Sequence, residues 1–238
     1  MSATLICPAC RHAHAGSLVV RTLRQQGQLL RCECGRKYPI IDNIPVLLTD
    51  LAGWAASEGA DALRDRRISA ELLPLLVGAD SASARNMALV EVYRTSPPSP
   101  YTRWLKSTIT RLPGLVLEVG AGIGHRNTVR LDLNLALLRA GAKAIPPTEG
   151  PQGVTLAAGG AVVANAADPP FLAEAFDAVV LSNLIDSCRD PFTALAQSDA
   201  LVKPGGTLVI TCAYAFQDAI TPVDARFSPE QLDRALRG

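Results

Sequence analysis

The sequence has no excess of charge of either sign and no long hydrophobic run. Its 238 residues contain 23 Lys and Arg against 22 Asp and Glu, so no global field attracts the chain to nucleic acid or to an anionic membrane. No apolar stretch approaches the length that spans a bilayer, and the N-terminus lacks a basic segment followed by an apolar one. These absences predict a cytoplasmic protein without a membrane segment. Its 48% hydrophobic residues can still fill a sizeable core.

Cysteine is scarce and unevenly placed. Four of the six cysteines fall close to the N-terminus: Cys7, Cys10, Cys32 and Cys34. In a chain without an export signal, paired thiols at this spacing more often hold zinc than form a disulfide, and a Cys-x-x-Cys turn presents two thiolates to a tetrahedral ion. We therefore predict zinc bound by these four cysteines. The second pair is one residue shorter than the first, so His12 or His14 is an alternative fourth ligand.

Residues 1–50 are predicted to form a separate small domain. Ser17–Leu23 and Gln28–Cys32 are short strand-like runs on either side of Arg24–Gly27, which predicts a hairpin whose turn contains glycine. The next segment, Tyr38–Leu48, is apolar but contains two prolines. It therefore favours an edge strand or an extended chain over a central strand.

The segments LICPAC and LLRCECGRKYPIIDNIPVLL resemble the small zinc-ribbon domains related to the activator subunit of eukaryotic tRNA and protein methyltransferases. In that family a cysteine pair, a hairpin, a second cysteine pair and a similar apolar tail recur. The resemblance covers residues 5–48 and implies a zinc ribbon. Such ribbons also occur fused to methyltransferase domains, including polysaccharide and small-molecule enzymes, and rRNA guanine methyltransferases carry a comparable zinc motif.

The remaining chain divides into a helical stretch and an alternating one. Residues 51–112 have a broken helical pattern that fits either plain helical packing or a cap over an active site. From Leu115 onward, helical signals alternate with five short apolar runs: LVLEVG, TVRLDL, AVVANA, FDAVVLSN and TLVITCAY. This alternation predicts an α/β domain with a parallel sheet over residues 113–238.

A glycine-rich loop follows the first apolar run. Glu118 precedes Gly120, Gly122 and Gly124, and glycines at such a turn allow the backbone to approach a ligand closely, because a Cβ would collide with it. A dinucleotide fingerprint needs its third glycine one residue later, where His125 stands. A dehydrogenase is therefore a weak interpretation. We interpret His125 as a residue that caps the loop rather than as a base.

The acidic residue and alternating glycines resemble motif I of class I S-adenosylmethionine-dependent methyltransferases, and further segments follow in that family's order. These segments are TVRLDL, VVANAADPPF, FDAVVLSNLID and LVKPGGTLVIT. The resemblance covers residues 115–211 and implies a Rossmann-like sheet that binds S-adenosylmethionine. It implies that the glycine motif beginning at Glu118 holds the amino-acid end of the cofactor, that Asp132 binds its ribose, and that Asn165 contacts its adenine.

Polar residues at the end of the fourth apolar run are the candidates for the acceptor side. Ser182, Asn183 and Asp186 stand where open α/β sheets place ligand chemistry. Methyl transfer from a sulfonium needs mainly alignment of the reacting atoms, so no catalytic triad is required. Asp168–Phe171 resembles a motif of enzymes that methylate exocyclic amines of bases, but it precedes the strand that it should follow. We therefore discount it.

Two supporting elements of the family are missing. Only three residues separate Gly124 from Thr128, and at about 3.3 to 3.6 Å each they span roughly 10 Å, too little for the usual first crossover helix. We expect either a glycine loop pulled straight, which could not cradle a cofactor, or a displaced or antiparallel second strand. FSPEQLDRALRG resembles the helix before the family's last two strands, yet no such strands follow. A degraded domain, a trimmed chain, and a protein partner or second copy that completes the sheet are the alternatives.

The leading hypothesis is an S-adenosylmethionine-dependent methyltransferase acting on a small-molecule, saccharide- or peptide-like acceptor. A second hypothesis is an RNA methyltransferase that grips RNA with its ribbon, because basic residues outnumber acidic ones within the first fifty positions. A solvated face explains that excess equally well, and no aromatic residues are interleaved for base stacking. A third hypothesis is a catalytically inactive methyltransferase fold that binds or supports a partner.

Overall fold

The computed structural model describes residues 1–14, 17–57, 75 and 84–237. In the N-terminal part the chain forms short strands: β1 (Ser2–Thr4), β2 (His12–His14), β3 (Ser17–Val19), β4 (Arg24–Gln26), β5 (Leu29–Arg31), β6 (Lys37–Ile41) and β7 (Ile44–Pro45). β2 pairs with β3, and β4 to β7 form a four-stranded antiparallel sheet in sequence order. The alternative zinc ligands on β2 have side chains outside the described residues.

The predicted hairpin is present, but its turn is shifted along the chain. Gln26 pairs with Leu29, so the turn consists of Gly27 and Gln28, and Gly27 takes the left-handed conformation at φ 58°. Arg24–Gln26, predicted as turn, form β4 instead. β4 is polar and mostly exposed, so hydrophobic periodicity gave no strand signal there. The earlier run was also paired wrongly, because β3 pairs with β2 rather than with β5.

The apolar tail after the second cysteine pair folds as a hairpin rather than as an edge strand. β6 has β5 on one side and β7 on the other, so the edge prediction is wrong for β6. The turn between β6 and β7 consists of Asp42 and Asn43 at φ 51° and 68°, the left-handed pair that suits the twist of a two-residue hairpin. The Pro39 carbonyl accepts from Val46 N at 2.8 Å, but proline has no N–H to donate in return, so this pair has one hydrogen bond instead of two.

Helices follow in the middle of the chain: α1 (Leu51–Ser57), α2 (Ala84–Thr95) and α3 (Pro100–Arg111). Residues 58–74 and 76–83 of the predicted linker or cap lie outside the described residues. Ser99 begins α3 as its N-cap, accepting from Thr102 N at 3.1 Å, and proline at the first helical position favours the same start. Leu105 and Ile109 of α3 are buried against the large sheet.

The C-terminal part contains the large sheet. Its elements are β8 (Val116–Val119), β9 (Val129–Asp132), α4 (Leu135–Ala140), β10 (Thr148–Gly150), β11 (Gly153–Ala157), β12 (Ala161–Val163), β13 (Phe176–Ser182), α5 (Pro191–Ala200), β14 (Val202–Thr211) and α6 (Pro229–Arg237). Five of these strands form a parallel sheet in the order β12-β9-β8-β13-β14. The predicted Rossmann-like α/β fold is therefore confirmed. β10 and β11 form a separate antiparallel sheet with β1.

The connection between β8 and β9 contains no helix, as predicted, yet β9 is parallel to β8 with Leu117 opposite Val129. The displaced and antiparallel alternatives are therefore wrong. A straight loop is wrong as well, because Gly124 N donates to Ala121 O at 2.8 Å across a turn. The whole of residues 120–128 forms the connection, and this length reaches about 30 Å, more than the roughly 13 Å of a four-residue strand.

The N-terminal strands are attached to the large sheet at several points. β1 pairs with β11, Leu5 forms a bridge with Phe171, and Arg11 donates to Pro169 O at 3.1 Å. Further along, Val46 bridges Val163 in parallel, so the tail after β7 continues the large sheet beyond β12. The segment Asp168–Phe171, discounted as a methylation motif, is therefore a contact between the two parts of the chain.

One hydrophobic core extends across both parts. A single cluster of buried residues includes Leu5 and Tyr38 from the N-terminal part and Val119 and Phe171 from the C-terminal part. The division into domains at residues 50 and 112 stays a prediction. No helix in the described residues is both long and apolar enough to cross a bilayer.

We expect Phe171→Ala to destabilise both parts of the chain together. Phe171 is fully buried and packs edge-to-face on Phe176 with ring centroids 5.0 Å apart, so its removal leaves a cavity costing about 3 to 5 kcal/mol. Urea unfolding followed by circular dichroism should show one cooperative transition at a lower midpoint. Val223→Ala, at a residue that is 75% exposed, is the control and should change stability by less than about 0.5 kcal/mol. Two transitions, of which only one shifts, would contradict a shared core.

Candidate functional site

The predicted site residues lie at the carboxyl edge of the large sheet. From β8 the strand order runs outward to β9 and β12, then returns to β13 and β14 on the other side. Open α/β sheets bind ligands in the crevice at such a reversal. The structure brings four predicted positions to this edge, each at or just after a strand end: Gly120, Asp132, Asn165 and Asn183.

The three glycines of the loop lie against different neighbouring side chains. All three have positive φ: 68° at Gly120, 57° at Gly122 and 56° at Gly124. A Cβ on Gly120 would lie 2.7 Å from Leu184 Cδ1, and a Cβ on Gly124 would lie 2.6 Å from Arg130 Cδ. Only at Gly122 would every neighbouring atom be at least 3.5 Å away. Of the three glycines predicted to contact the cofactor, Gly122 is therefore the least crowded by other atoms of the protein.

The carboxylate of Glu118 is hydrogen-bonded to residues of the glycine loop. Its carboxylate accepts from His125 N at 2.8 Å and from the Thr128 hydroxyl, and it lies 2.8 Å from His125 Nδ1. The side chain is buried, with 4% exposed. A buried carboxylate needs such partners, because an unpaired one would be costly. Glu118 thus fixes the far end of the loop, and His125 has the capping position that we expected.

Asp132 holds the near end of the same loop. Its Oδ2 accepts from Gly122 N at 2.7 Å and its Oδ1 from Asn134 N at 2.8 Å. Burial raises the pKa of Asp132, while the hydrogen bonds from Asn134, Gly122 and Leu133 act in the lowering direction. A carboxylate offers about four acceptor sites, so capacity remains for a ligand hydroxyl. The geometry therefore suits the ribose contact that the family resemblance implied.

A cavity of about 330 Å³ begins at Leu133, the residue after Asp132. It is lined by residues from both parts of the chain: Leu47, Leu48, Thr49, Asp50, Trp54, Leu133, Asn165 and Asp168. Trp54 Nε1 donates to Leu133 O at 2.8 Å and so fixes α1 beside the end of β9. Asn165, predicted to contact adenine, is exposed on the cavity wall. Its apolar side chains, with the amide of Asn165 and the polar residues Thr49, Asp50 and Asp168 among them, suit a flat heteroaromatic ring that carries hydrogen-bonding groups.

A cluster of hydroxyl groups lies at the ends of β13 and β14. The Tyr101 hydroxyl is 2.7 Å from Ser182 Oγ and 2.7 Å from Thr211 Oγ1. Asn183 N donates to Thr211 Oγ1 at 3.2 Å, and Asn183 is left-handed at φ 50°, a conformation that places it out of the strand. Ser182 and Asn183 are therefore together, as predicted. The sequence did not single out Tyr101 or Thr211.

Asp186 occupies a different environment from Ser182 and Asn183. It is 2% exposed, and its Oδ2 accepts from Ala213 N at 3.2 Å and from Ala215 N at 3.1 Å. These bonds fasten the chain after β14 to the loop after β13. Its contribution to the site is thus to position the loops, and a direct role on an acceptor stays a prediction.

Tyr93 of α2 also reaches the glycine loop. A Cβ on Gly122 would lie 3.5 Å from the Tyr93 hydroxyl, and the ring is 48% exposed. Burial, followed by the nearby charge of Asp132, raises the pKa of Tyr93. Sequence reasoning missed this residue because α2 lies outside the segment that resembles a methyltransferase.

The four N-terminal cysteines converge as predicted. Their sulfur atoms all lie within 4.8 Å of one another, with Cys7 3.9 Å from Cys34 and Cys10 3.7 Å from Cys32. Tetrahedral zinc with Zn–S bonds of about 2.3 Å places its sulfur atoms roughly 3.8 Å apart. The cluster therefore fits a zinc ion without rearrangement of the chain. Since the described residues already supply four sulfur ligands, the shorter spacing of the second pair does not prevent a tetrahedral set.

The electrostatics of the cysteine cluster also fit a cation. Burial raises the pKa of Cys10 to about 11 and raises that of Cys32 further, because a thiolate there would lie among other thiols in a buried site. At Cys34 desolvation acts in the raising direction, but hydrogen bonds from Arg36 N and the other cysteines outweigh it, and the pKa falls to about 7. A metal ion would compensate the charge of the remaining thiolates.

Tyr38 contacts the cysteine cluster through its hydroxyl group. Its hydroxyl lies 3.1 Å from Cys7 Sγ, and the residue is buried. Burial, followed by the hydrogen bond with Cys7, raises the pKa of Tyr38, so the hydroxyl keeps its proton. With Cys7 as a thiolate, Tyr38 is the donor in this bond.

Known proteins match this chain over separate stretches. Residues 113–210 match the family described as Methyltransferase domain. The Demethylmenaquinone methyltransferase of Renibacterium salmoninarum is 30% identical over 120 residues, which are 46% of this chain and 46% of that protein. The chain therefore spans about half the length of this curated relative. With the parallel sheet, the family match supports the predicted resemblance of residues 113–210 to S-adenosylmethionine-dependent methyltransferase domains.

A second relative covers a shorter stretch. A UPF0434 protein of Methylococcus capsulatus is 41% identical over 63 residues, which are 26% of this chain and 81% of that protein. Over this stretch the chain belongs to the UPF0434 family. Among solved structures, a chain of the complex between the Haloferax volcanii Trm112 methyltransferase activator and a methyltransferase is 18% identical, with a TM-score of 0.45, over 65% of this chain and 72% of that chain.

We expect Tyr38→Phe to weaken zinc binding about 10- to 100-fold, the usual effect of removing a hydrogen bond to a metal ligand. The variant keeps the ring in its buried place and removes only the hydroxyl near Cys7 Sγ. Zinc affinity is measured by competition with a chromophoric chelator. Tyr214→Phe is the matched control, because Tyr214 lies after β14, far along the chain from the cysteines. Equal zinc affinity in the Tyr38 variant and the wild type would contradict the expectation.

Proposed function

We propose that this chain transfers a methyl group from S-adenosylmethionine to a small-molecule acceptor. The observation that carries the proposal is Asp132, whose carboxylate accepts from Gly122 N of the glycine loop and whose neighbour in the chain, Leu133, lines a cavity of about 330 Å³. The cavity, the Asp132 carboxylate and the glycine loop follow one another at the carboxyl edge of the sheet. A ligand with a flat ring, a sugar and a charged tail matches these three features in that order.

The residues present fit the cofactor as follows. The cavity wall at Leu133 and Asn165 would hold the adenine, Asp132 the ribose hydroxyls, and the backbone at Gly122 the amino-acid end. Glu118 would act by holding the loop in shape, since its carboxylate is occupied by His125 and Thr128. When bound, the cofactor supplies an electrophilic methyl group on its sulfonium. The protein's task is then to hold an acceptor in line with it.

The acceptor side of the proposal rests on the hydroxyl cluster. Ser182, Asn183, Tyr101 and Thr211 stand at the strand ends beside the reversal, and together they offer several donors and acceptors without a formal charge. Such a site suits an uncharged polar group of the acceptor. The curated relative is named for demethylmenaquinone, a small molecule, which supports the same class of acceptor.

We include zinc in the proposal, bound by the four cysteine thiolates. It would have a structural role, because all four ligands come from the protein and closed four-coordinate sites leave no position for a substrate. The ion would fix the loops on which Cys7 and Cys34 stand. β6, which carries Tyr38, leads from there to the cavity wall at Leu47.

We expect Asp132→Asn to lower the affinity for S-adenosylmethionine about tenfold or more, because hydrogen bonds to a charged partner contribute about 1.5 to 3 kcal/mol. The titration is made by calorimetry on the zinc-loaded chain. Asp199→Asn is the matched control, at an exposed aspartate of α5, and should leave the affinity unchanged. Failure of the wild-type chain to bind the cofactor while folded would overturn the proposed function.

Cofactor affinity should also fall with decreasing pH in the wild-type chain. The ribose hydroxyls donate to the ionised carboxylate, and burial raises the pKa of Asp132 above its ordinary value. Affinity should therefore be full above that raised pKa and decline as the pH falls through it, measured between about pH 8 and about pH 5. Asp132→Asn should remove this dependence. An equal decline in the variant would assign it to another group.

A further inference from the structure

Arg130 is a fully buried cation on the strand that carries Asp132. Its side chain is 0% exposed. Its guanidinium donates to three backbone carbonyls: Ile123 O at 3.3 Å, Leu138 O at 3.2 Å and Ala142 O at 2.8 Å. Nε is buried without a hydrogen-bond partner among the described residues. The charge of Glu118 on the neighbouring strand favours the guanidinium, but all its hydrogen bonds go to backbone carbonyls, which indicates that it holds these segments of the chain in place.

The carbonyls that Arg130 binds come from two separate segments. Leu138 O belongs to the last turn of α4, where a helix concentrates partial negative charge, and Ala142 O follows two residues after the helix ends, so a cation there is favourable. Ile123 O belongs to the glycine loop. One guanidinium therefore ties the loop to α4 across the face of β9.

Two glycines make room for this side chain. A Cβ on Gly124 would lie 2.6 Å from Arg130 Cδ, and a Cβ on Gly141 would lie 2.6 Å from Arg130 Nη1 and 2.1 Å from Ile123 O. Atoms that close would displace either the arginine or the loop. The third glycine of the motif is thus required by Arg130.

Arg130 and Asp132 point to the same face of β9, because side chains two residues apart in a strand share a face. Asp132 binds the loop at Gly122 N, and Arg130 binds it at the next residue, Ile123 O. The usual crossover helix would pack on this face and fix the end of the loop. Here the connection has no helix, and the two side chains supply the contacts.

We propose that Arg130 is a positioning residue that holds the glycine loop in its cofactor-binding shape, in place of the missing crossover helix. The proposal rests on the proposed function for its consequence, since the loop would hold the amino-acid end of S-adenosylmethionine. Arg130 acts through Ile123 and Gly124 and does not itself contact the ligand. The adenosine end, held by Asp132, Leu133 and Asn165, is largely independent of it.

The first test needs no cofactor. Amide hydrogen exchange of the full chain, zinc-loaded, is compared for wild type, Arg130→Met and Arg130→Lys, with Arg111→Met as the control at an exposed arginine. In Arg130→Met the amides of residues 120–128 should exchange at least about tenfold faster, because hydrogen bonds from a charged donor are lost, while those of β13 stay unchanged. The lysine variant keeps the charge with fewer donors and should be intermediate. Faster exchange over the whole sheet in both variants, or no change in the loop, would overturn the proposal.

The second test separates positioning from general stability. Affinities for S-adenosylhomocysteine and for adenosine are measured by calorimetry in the same variants. Arg130→Met should weaken S-adenosylhomocysteine about tenfold or more and change adenosine binding by less than about threefold, since adenosine lacks the amino-acid end. Equal losses for both ligands would overturn a role specific to the loop. If the wild-type chain binds neither ligand, the proposed function fails, and the exchange experiment alone decides whether Arg130 holds the loop.

Discussion

The connection between β8 and β9 is the constraint on which the site depends. Parallel neighbours require the chain to return along the sheet, and here residues 120–128 do so without a helix. Because residues 120–128 contain no helix or strand, few backbone hydrogen bonds within the segment hold its shape. Its shape is therefore set by charged side chains: Glu118 at one end, the half-buried Asp132 at the other, and the buried Arg130 on the strand beside it. Each of these groups is satisfied in part by atoms of the loop.

The N-terminal part covers the edge of the large sheet at β12. β12 would be an exposed edge, and exposed edges invite pairing with other chains. The tail at Val46 pairs with Val163 instead, and Leu47 N donates to Val163 O at 2.8 Å. The same tail continues into the wall of the cavity and α1. The second cysteine pair, the covered sheet edge and the cavity wall thus follow one another along one short piece of chain.

Much of the fold could be predicted from sequence, because its signals are local. Alternating apolar runs gave the parallel sheet, and cysteine spacing gave the cluster of four sulfur atoms. The polar strand β4 gave no such signal, and its residues were therefore assigned to the turn. Tyr101 could not be found, since its contacts with Ser182 and Thr211 join residues about 80 or more positions apart. Arg130 was equally hidden, because arginine is rarely buried and its sequence neighbours are ordinary strand residues.

The alternating glycines show why a motif and its physical cause must be kept apart. Gly120 faces Leu184 and Gly124 faces Arg130, so packing within the chain is enough to require glycine at both positions. Only at Gly122 would a Cβ make ordinary contacts, all of them with the Tyr93 side chain, so packing alone does not exclude a side chain there. The stronger functional signal is Asp132. Burial raises the pKa of its carboxylate, so keeping the group ionised at this position costs free energy. Part of that cost is offset by Gly122 N, and the carboxylate retains further acceptor capacity. In the proposed function the residue that closes the shortened loop also binds the ribose, which would couple the shape of the loop to cofactor binding.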